Sequence, residues 1–228
     1  MYIEIENLSK KINGVSVLEN ISVRFEQGKV YGLKGSNGSG KTMLMRAVCG
    51  LIVPSGGHVN INGEILGKDI SFPGSIGILI ENPGFISNYS GYKNLEILAS
   101  IKNKIGNETI KETLTLVGLD CEDKKKYRKY SLGMKQKLGI VAAIMESPDI
   151  LLLDEPLNAL DDKGVATVHK IIEQARENGK IIILACHDFR ELQALSDEIF
   201  VMDKGKITDH VVTGEISEED GKYIHVEA

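Results

Sequence analysis

Cysteine is scarce in this chain, and the little there is does not cluster. Cys49, Cys121 and Cys186 are the only three in 228 residues, and they match no metal-ligand spacing. An odd, scattered set fits reduced thiols in a cytosolic protein better than a disulfide framework. Long hydrophobic runs are missing as well. The longest strictly apolar stretches, such as "IVAAIM" and "ILLL", fall far short of the ~20 residues that a bilayer-spanning helix needs. The N-terminus, "MYIEIENLSK", reads as having no signal peptide. Work at a membrane would therefore borrow its transmembrane part from a partner. A basic excess is lacking too. The net charge of −5 argues against a surface that coats nucleic acid, and no nucleic-acid partner is expected, although local patches can be basic. There is no internal repeat and no low-complexity linker. A chain of this length, 42% hydrophobic, has ample core for one large domain or two interlocked lobes.

What is present falls into segments. "YIEIEN", "ISVRF" and "HVNINGEI" alternate or are β-rich, and Asn62-Gly63 is a hairpin-turn signal. "KVYGLKG" leads into a glycine-rich loop, "KTMLMRAVCG" follows as a helix, and "SIGILI" is another buried strand. From Ser90 to about Lys129 the pattern is helical, in "YKNLEILASI" and "ETIKETLTLVG", the second with Asn107 as cap and Gly118 as stop. This reads as a helical insertion into an α/β core. "DILLLDEP" and "KIIILACHD" are continuous apolar runs, as expected of parallel strands buried on both faces. Between them "KGVATVHKIIEQAREN" is an amphipathic helix stopped by Gly179. "IFVMDKGKI" reads as a final hairpin and the tail from Gly214 as an acidic, weakly packed edge.

The chemistry sits in short motifs. "GSNGSGKT" runs through Gly35, Ser36, Asn37, Gly38, Ser39, Gly40, Lys41 and Thr42 and fits G-x-x-x-x-G-K-[ST] between a strand and a helix. Its glycines let backbone N–H groups wrap phosphates, Lys41 reaches the β- and γ-phosphates, and Thr42 ligates Mg²⁺. "ILLLDEP" ends a buried strand on Asp154, placed to hold Mg²⁺ through water. Glu155 follows, and a carboxylate there can orient or deprotonate an attacking water. His187 ends the strand "IIILACH". It is either a structural histidine or, at the ligand-gathering edge of an open α/β sheet, a group touching the γ-phosphate. A second phosphate-like turn stands in "YSLGMKQ": a polar residue, a glycine turn and what reads as the helix "KQKLGIVAAIM".

In this order the motifs resemble those of ABC-transporter ATP-binding cassettes, over nearly the whole chain. "GSNGSGKT" is similar to the family's Walker A, "ILLLDEP" to Walker B with its catalytic glutamate, "NALD" (Asn158 to Asp161) to the D-loop, His187 to the switch histidine, and "YSLGM" to the LSGGQ signature. The resemblance implies one ABC ATPase domain over 1–228: a P-loop α/β core with an antiparallel β-subdomain from 1–84 and 138–228, and an inserted α-helical subdomain from 85–137. It implies ATP and Mg²⁺ as ligands, with Thr42, Glu81 and Asp154 toward the metal. It also implies a homodimer, or pairing with a second cassette, on ATP binding. Ser131 and Gly133 would then complete the partner's nucleotide site, with a helix N-terminus adding partial positive charge. That explains two phosphate turns in one chain. The implied setting is cytoplasmic, peripheral on the inner face of the cell membrane, beneath an integral-membrane permease. A soluble ABC-type ATPase, or a nucleotide-binding regulator without turnover, is the alternative. Intact Lys41, Asp154, Glu155 and His187 argue against the regulator.

Three departures from the family pattern stand out. In the signature, Tyr130 and Leu132 replace a Leu and a Gly, while Ser131 and Gly133 are kept. The lid glutamine is Glu81, a variant that resembles the cassettes of bacitracin- and lantibiotic-type exporters, which protect bacteria from antimicrobial peptides. Ile12 stands where an aromatic usually stacks on adenine. Around these, the basic residues between Lys124 and Lys137 are either a solvated helical face or a device that steers ATP. Phe85, Tyr89 and Tyr92 either belong to the core of the helical lobe or abut a groove for a permease helix.

Phosphate contacts cannot tell ATP from GTP, so selectivity rests on the base. With Ile12, or Val15 or Val17 if the alignment shifts, the stacking contribution of ~0.5–1.5 kcal/mol is missing. Titration with labelled ATP and GTP should show weak discrimination, and Ile12→Tyr should tighten ATP by a few-fold to roughly tenfold. A strong preference of the wild type for ATP would mean that another group reads the base.

Overall fold

In the first third of the chain, apolar side chains recur on one side of the backbone, and an antiparallel sheet forms from them. The computed structural model describes residues 1–81 and 84–215, so the acidic tail lies, beyond 215, outside the described residues. Strand β1 (Tyr2–Ile12) pairs with β2 (Val15–Glu26) and with β4 (Gly56–Ile61), which turns back into β5 (Glu64–Ile65). The turn pairs Asn13-Gly14 and Asn62-Gly63 have φ of 49° and 82°, and of 54° and 94°. Two consecutive positive φ values make the two-residue hairpin turn that Asn-Gly adopts at least cost. Ile3, Ile5, Leu18, Ile21 and Phe25 bury themselves in one core on the inner face of this sheet.

A second sheet carries the motifs. Its six strands run in the order β10 (Lys206–Val212), β9 (Glu198–Asp203), β3 (Lys29–Lys34), β8 (Ile181–Ala185), β7 (Ile150–Asp154), β6 (Ile76–Leu79), parallel except for β10. The apolar runs are buried on both faces, as expected. Ile150, Leu152, Ile181 and Ile183 face the core shared with the antiparallel sheet, and Leu151, Leu153, Ile182 and Leu184 face the core shared with the helices. Helix α1 (Lys41–Val48) packs between the sheets. Helices α2 (Gly91–Lys102), α3 (Asn107–Leu116), α4 (Leu132–Ile144), α5 (Asp162–Glu177) and α6 (Phe189–Leu195) complete the other side. This is the expected P-loop core with a β-subdomain and inserted helices.

Local details depart from expectation. Asn107 is the first residue of α3 rather than its cap; Gly106 occupies the cap position in extended backbone. Gly118, at φ 74°, does end the helix. Helix α4 begins at Leu132, not after a glycine turn, because the Ser131 hydroxyl accepts from Met134 N at 3.2 Å and caps it. Gly133 is therefore helical, and a β-carbon there would lie 2.7 Å from the Ala159 carbonyl. Helix α4 also crosses the boundary drawn at 137/138, packing on α2, α3 and β6 alike. Tyr130, just before the cap, is buried, and its hydroxyl accepts from Gly91 N at 3.1 Å at the start of α2.

The seat of α4 on β6 depends on Gly77. A β-carbon there would collide with the Ala143 carbonyl and crowd the Pro148 ring. Gly77→Ala should destabilise the chain by at least ~1–3 kcal/mol, the cost typical of overpacking. Urea unfolding of both proteins checks this, and an unchanged midpoint would contradict the packing of helix on strand.

Candidate active site

Strands β3, β8 and β7 are neighbours, and their register aligns the motifs. Ala185 lies opposite Leu33 on one side and Asp154 on the other. The next residues along each strand, Lys34-Gly35, Cys186-His187 and Glu155, therefore emerge at one edge of the sheet, where ligands bind in open α/β folds.

The glycine loop wraps its own lysine. Gly38 and Gly40 have φ of 83° and 109°, values that a side chain would strain. A β-carbon on Gly35 would collide with the Met202 carbonyl and the Ser39 side chain. The loop is tied down at its far side, where Gly205 N donates to the Ser39 carbonyl at 2.9 Å and Glu19 N to the Gly205 carbonyl at 2.8 Å. Lys41 is buried, and its Nζ donates to the carbonyls of Gly35 at 2.7 Å and Ser36 at 3.1 Å. Lys34, entering the loop, stands 4.1 Å over the ring of Phe189, which opens α6 just after His187.

Acids converge opposite the lysine. Thr42 Oγ1 donates to Asp154 Oδ2 at 2.6 Å. Burial pushes the Asp154 carboxyl up from its ordinary value, against the Thr42 hydrogen bond, and the charges of Glu155 and Glu81 push it further. Glu155 has a left-handed φ of 50°. It is pinned there, since its N donates to the Ala185 carbonyl at 2.8 Å and its carbonyl accepts from Gln136 Nε2 at 2.9 Å. Nδ1 of His187, a largely exposed side chain, lies 2.8 Å from Glu155 Oε2. Glu81 also has positive φ, 57°, and its carboxylate pairs with Arg46 Nη2 at 2.8 Å. A hydroxyl in contact with a carboxylate, with further acids nearby and the nearest acid pushed up, is an oxygen donor set that suits Mg²⁺.

Several of these groups, though not His187 or Arg46, line a cavity of about 700 Å³. Asn37 to Thr42, Glu81, Asp154 and Glu155 are in its wall, with Gly35 and Ser36 beneath, bonded to Lys41. Ser131 and Gly133 are not in the wall; Ser131 is exposed. Ile12 is not there either, and is 41% exposed at the hairpin end opposite Val15, whereas Val17 does line the cavity. Met43, Leu132 and Gln136, the last two one helical turn apart on α4, and Asn158 and Ala159 complete the wall. Gln136 and Arg46 went unrecognised from sequence. The available signal was periodicity, since each lies four residues beyond a motif position on the same helix face, Gln136 after Leu132 and Arg46 after Thr42. Phe85 and Tyr92 pack against the core of the helical lobe, Phe85 edge-on to Tyr127, while Tyr89 is 43% exposed. In the basic stretch Lys124, Lys125, Lys126, Arg128 and Lys129 are exposed, whereas Lys135 lies over the Tyr127 ring.

The raised Asp154 carboxyl has a consequence for stability. Folding favours its protonated form, so its charged form costs stability at neutral pH, and the cost fades as pH falls below the raised value. Asp154→Asn should therefore raise the thermal midpoint of the nucleotide-free chain at neutral pH, and the gain should shrink in acid. A lower midpoint at neutral pH would contradict the assignment.

Comparison with known proteins bears on the family and the fold. The family described as ABC transporter is matched over residues 18–158. The chain is 50% identical over 205 residues to the uncharacterised ABC transporter ATP-binding protein YybJ of Bacillus subtilis (strain 168), covering 90% of this chain and 94% of that protein. It is 39% identical over 223 residues to the bacitracin transport ATP-binding protein BcrA of Enterococcus faecalis, covering 97% of this chain and 72% of BcrA. The fold matches that of the ATP-binding cassette MJ0796, solved as a dimer in a post-hydrolysis state with ADP and Pi. The TM-score is 0.83 at 20% identity, over 92% of this chain and 98% of that one. The chain belongs to the ABC transporter family, as an ATP-binding cassette whose ATP hydrolysis is coupled to transport.

Proposed function

We propose that two cassettes, each a copy of this chain or one copy with a second such subunit, close on Mg–ATP beneath a membrane permease and drive the export of an antimicrobial peptide or other amphipathic compound. The observation that carries the hydrolytic part is the contact of Glu155 Oε2 with His187 Nδ1 beside the Thr42–Asp154 pair and the glycine loop. In this reading Lys41 exchanges the Gly35 and Ser36 carbonyls for β- and γ-phosphate oxygens. Thr42 and Asp154, with Glu81 nearby, would hold Mg²⁺, which when bound would offset phosphate charge. Glu155 takes the proton of a water whose oxygen attacks the γ-phosphorus as the bond to the β,γ-bridging oxygen breaks. His187 holds the carboxylate in place and faces the γ-phosphate. Arg46 offsets the charge that Glu81 adds beside the phosphates.

The dimer reading is supported by what the chain's own cavity leaves out. Ser131 and Gly133 are not in its wall, although Leu132 between them is, and Ser131 is exposed at the N-terminus of α4, free to approach a nucleotide held by another chain. The dimeric MJ0796 cassette supplies a precedent for such pairing. Residues 85–137, with α4 running on from them into the core, act as the helical subdomain that carries this surface. A shallow hollow of about 300 Å³, bounded by Arg46, Leu51, Ile52 and Ile80, lies beside Glu81 and suits a permease segment. No helix among the described residues is long and apolar enough to cross a membrane, consistent with a cytoplasmic subunit on its inner face. Similarity to BcrA, a bacitracin transport protein, supports export of that class of cargo.

Glu155→Gln tests the mechanism. It should keep ATP binding, slow turnover by ~10²–10⁴, and accumulate ATP-bound dimers in sedimentation. A variant that turns over at the wild-type rate would remove Glu155 from the reaction.

A further inference from the structure

Cys186 has no part in the hydrolytic reading, yet its sulfur lies within 4.8 Å of both groups that the reading relies on. Strand β8 alternates between two cores, and this alternation sends the Cys186 side chain toward the helices, where it is 3% exposed. His187, the next residue, points the other way into the open, with 69% of its side chain exposed. The Sγ of Cys186, a carboxylate oxygen of Glu155 and a ring nitrogen of His187 all lie within 4.8 Å of one another. We propose that Glu155, Cys186 and His187 form a binding site for a thiophilic divalent metal of the Zn²⁺ and Cd²⁺ class, distinct from the oxygen-only pair Thr42 and Asp154.

The donor set decides the class of ion. One sulfur, one imidazole nitrogen and one carboxylate oxygen match three-ligand zinc sites that keep a fourth position for water, whereas Mg²⁺ prefers oxygen alone. Metal–ligand bonds of about 2.0–2.3 Å place tetrahedral donors roughly 3.3–3.8 Å apart. The widest pair here must therefore close by roughly 1 Å, and the 2.8 Å contact of His187 with Glu155 must open slightly. The mobile partner is available, because His187 is the exposed member and rotates without disturbing the core. The surroundings also favour a cation, since the carboxylates of Glu155, Asp188 and Glu191 all act on the thiol. Proton balance is simple. A metal is bound by the thiolate, so coordination replaces the thiol proton of Cys186, which leaves to solvent. His187 binds through Nδ1 with its proton on Nε2, and Glu155 binds as a carboxylate. A sulfur donor favours thiophilic ions over Mg²⁺ and Ca²⁺, which prefer oxygen ligands.

Occupation would take Glu155 and His187 out of service while leaving Lys41, Thr42 and Asp154 free. Zinc should then stop hydrolysis without displacing ATP. This consequence rests on the reading of Glu155 as base; the binding itself does not.

Cobalt(II) titration of the purified full chain, followed by thiolate-to-cobalt charge-transfer absorption, tests the site directly. The wild type should develop the band with one equivalent and lose it to Zn²⁺. Cys186→Ser should lose the band yet keep its Mg–ATP turnover, which also reports that it is folded; Cys186→Ala serves if serine is poorly tolerated in a buried position. His187→Gln, read by the band alone, should weaken it. Absence of the band in the wild type, or its survival in Cys186→Ser through Cys49 or Cys121, would overturn the proposal. In parallel, Zn²⁺ at saturating Mg–ATP should slow the wild type by ~10² or more, as for a lost base, and spare Cys186→Ser. A cobalt band without zinc inhibition would uphold the site and remove Glu155 from catalysis instead.

Discussion

Everything at this site depends on Ala185 having Leu33 on one side and Asp154 on the other. The chain crosses between distant segments so that β8 lies between the strand before the glycine loop and the strand before Glu155. Parallel ladders with both faces buried have little freedom of register, because a slip of one residue would exchange the residues facing the two cores. The apolar alternation of β7 and β8 between those cores thus aligns Gly35, Glu155 and His187 more firmly than any contact among them.

On that frame the site concentrates unfavourable terms. A lysine is buried among carbonyls, an aspartate is pushed toward its neutral form, and a glutamate has left-handed backbone. Each is held by neighbours: Lys41 by the Gly35 and Ser36 carbonyls of its own loop, and, from distant parts of the chain, Asp154 by Thr42 and Glu155 by Ala185 and Gln136. Strain of this kind persists only where the surroundings over-determine it. It leaves the site set up for phosphate and a divalent ion, each of which would relieve one of these costs. Arg46 tempers the third acid, Glu81, in the same way.

Much of this was legible in the sequence for identifiable reasons. Asn-Gly turns, continuous apolar runs and the amphipathic α5 are local signals, and the sheets and helices followed them. The glycine loop and the Asp154-Glu155 pair are contiguous motifs, and both lie in the cavity wall. What escaped was set by packing across the chain. The cap of α3 moved to Gly106, and α4 started early because a serine hydroxyl, not a glycine turn, begins it. Helical spacing puts Gln136 and Arg46 on the same faces as Leu132 and Thr42, but their partners, Glu155 and Glu81, lie on other elements and no spacing announces them. Ile12 and Val17 are five residues apart on two strands of one hairpin, and only the three-dimensional path of that hairpin puts Val17 against the loop and Ile12 outside the cavity.

The hydroxyl of Tyr130 reaches the first amide of α2, and Gly91 is the residue that makes room for it, since a β-carbon there would come within 2.5 Å of the Tyr130 oxygen. A leucine at 130 would leave that space open and the amide without this acceptor. A side chain at 91 would in turn push a tyrosine out of its slot. Positions 91 and 130 therefore behave as one choice made twice. The tyrosine of the unusual signature thus depends on a glycine thirty-nine residues upstream, and replacing either one alone would spoil the fit of the other.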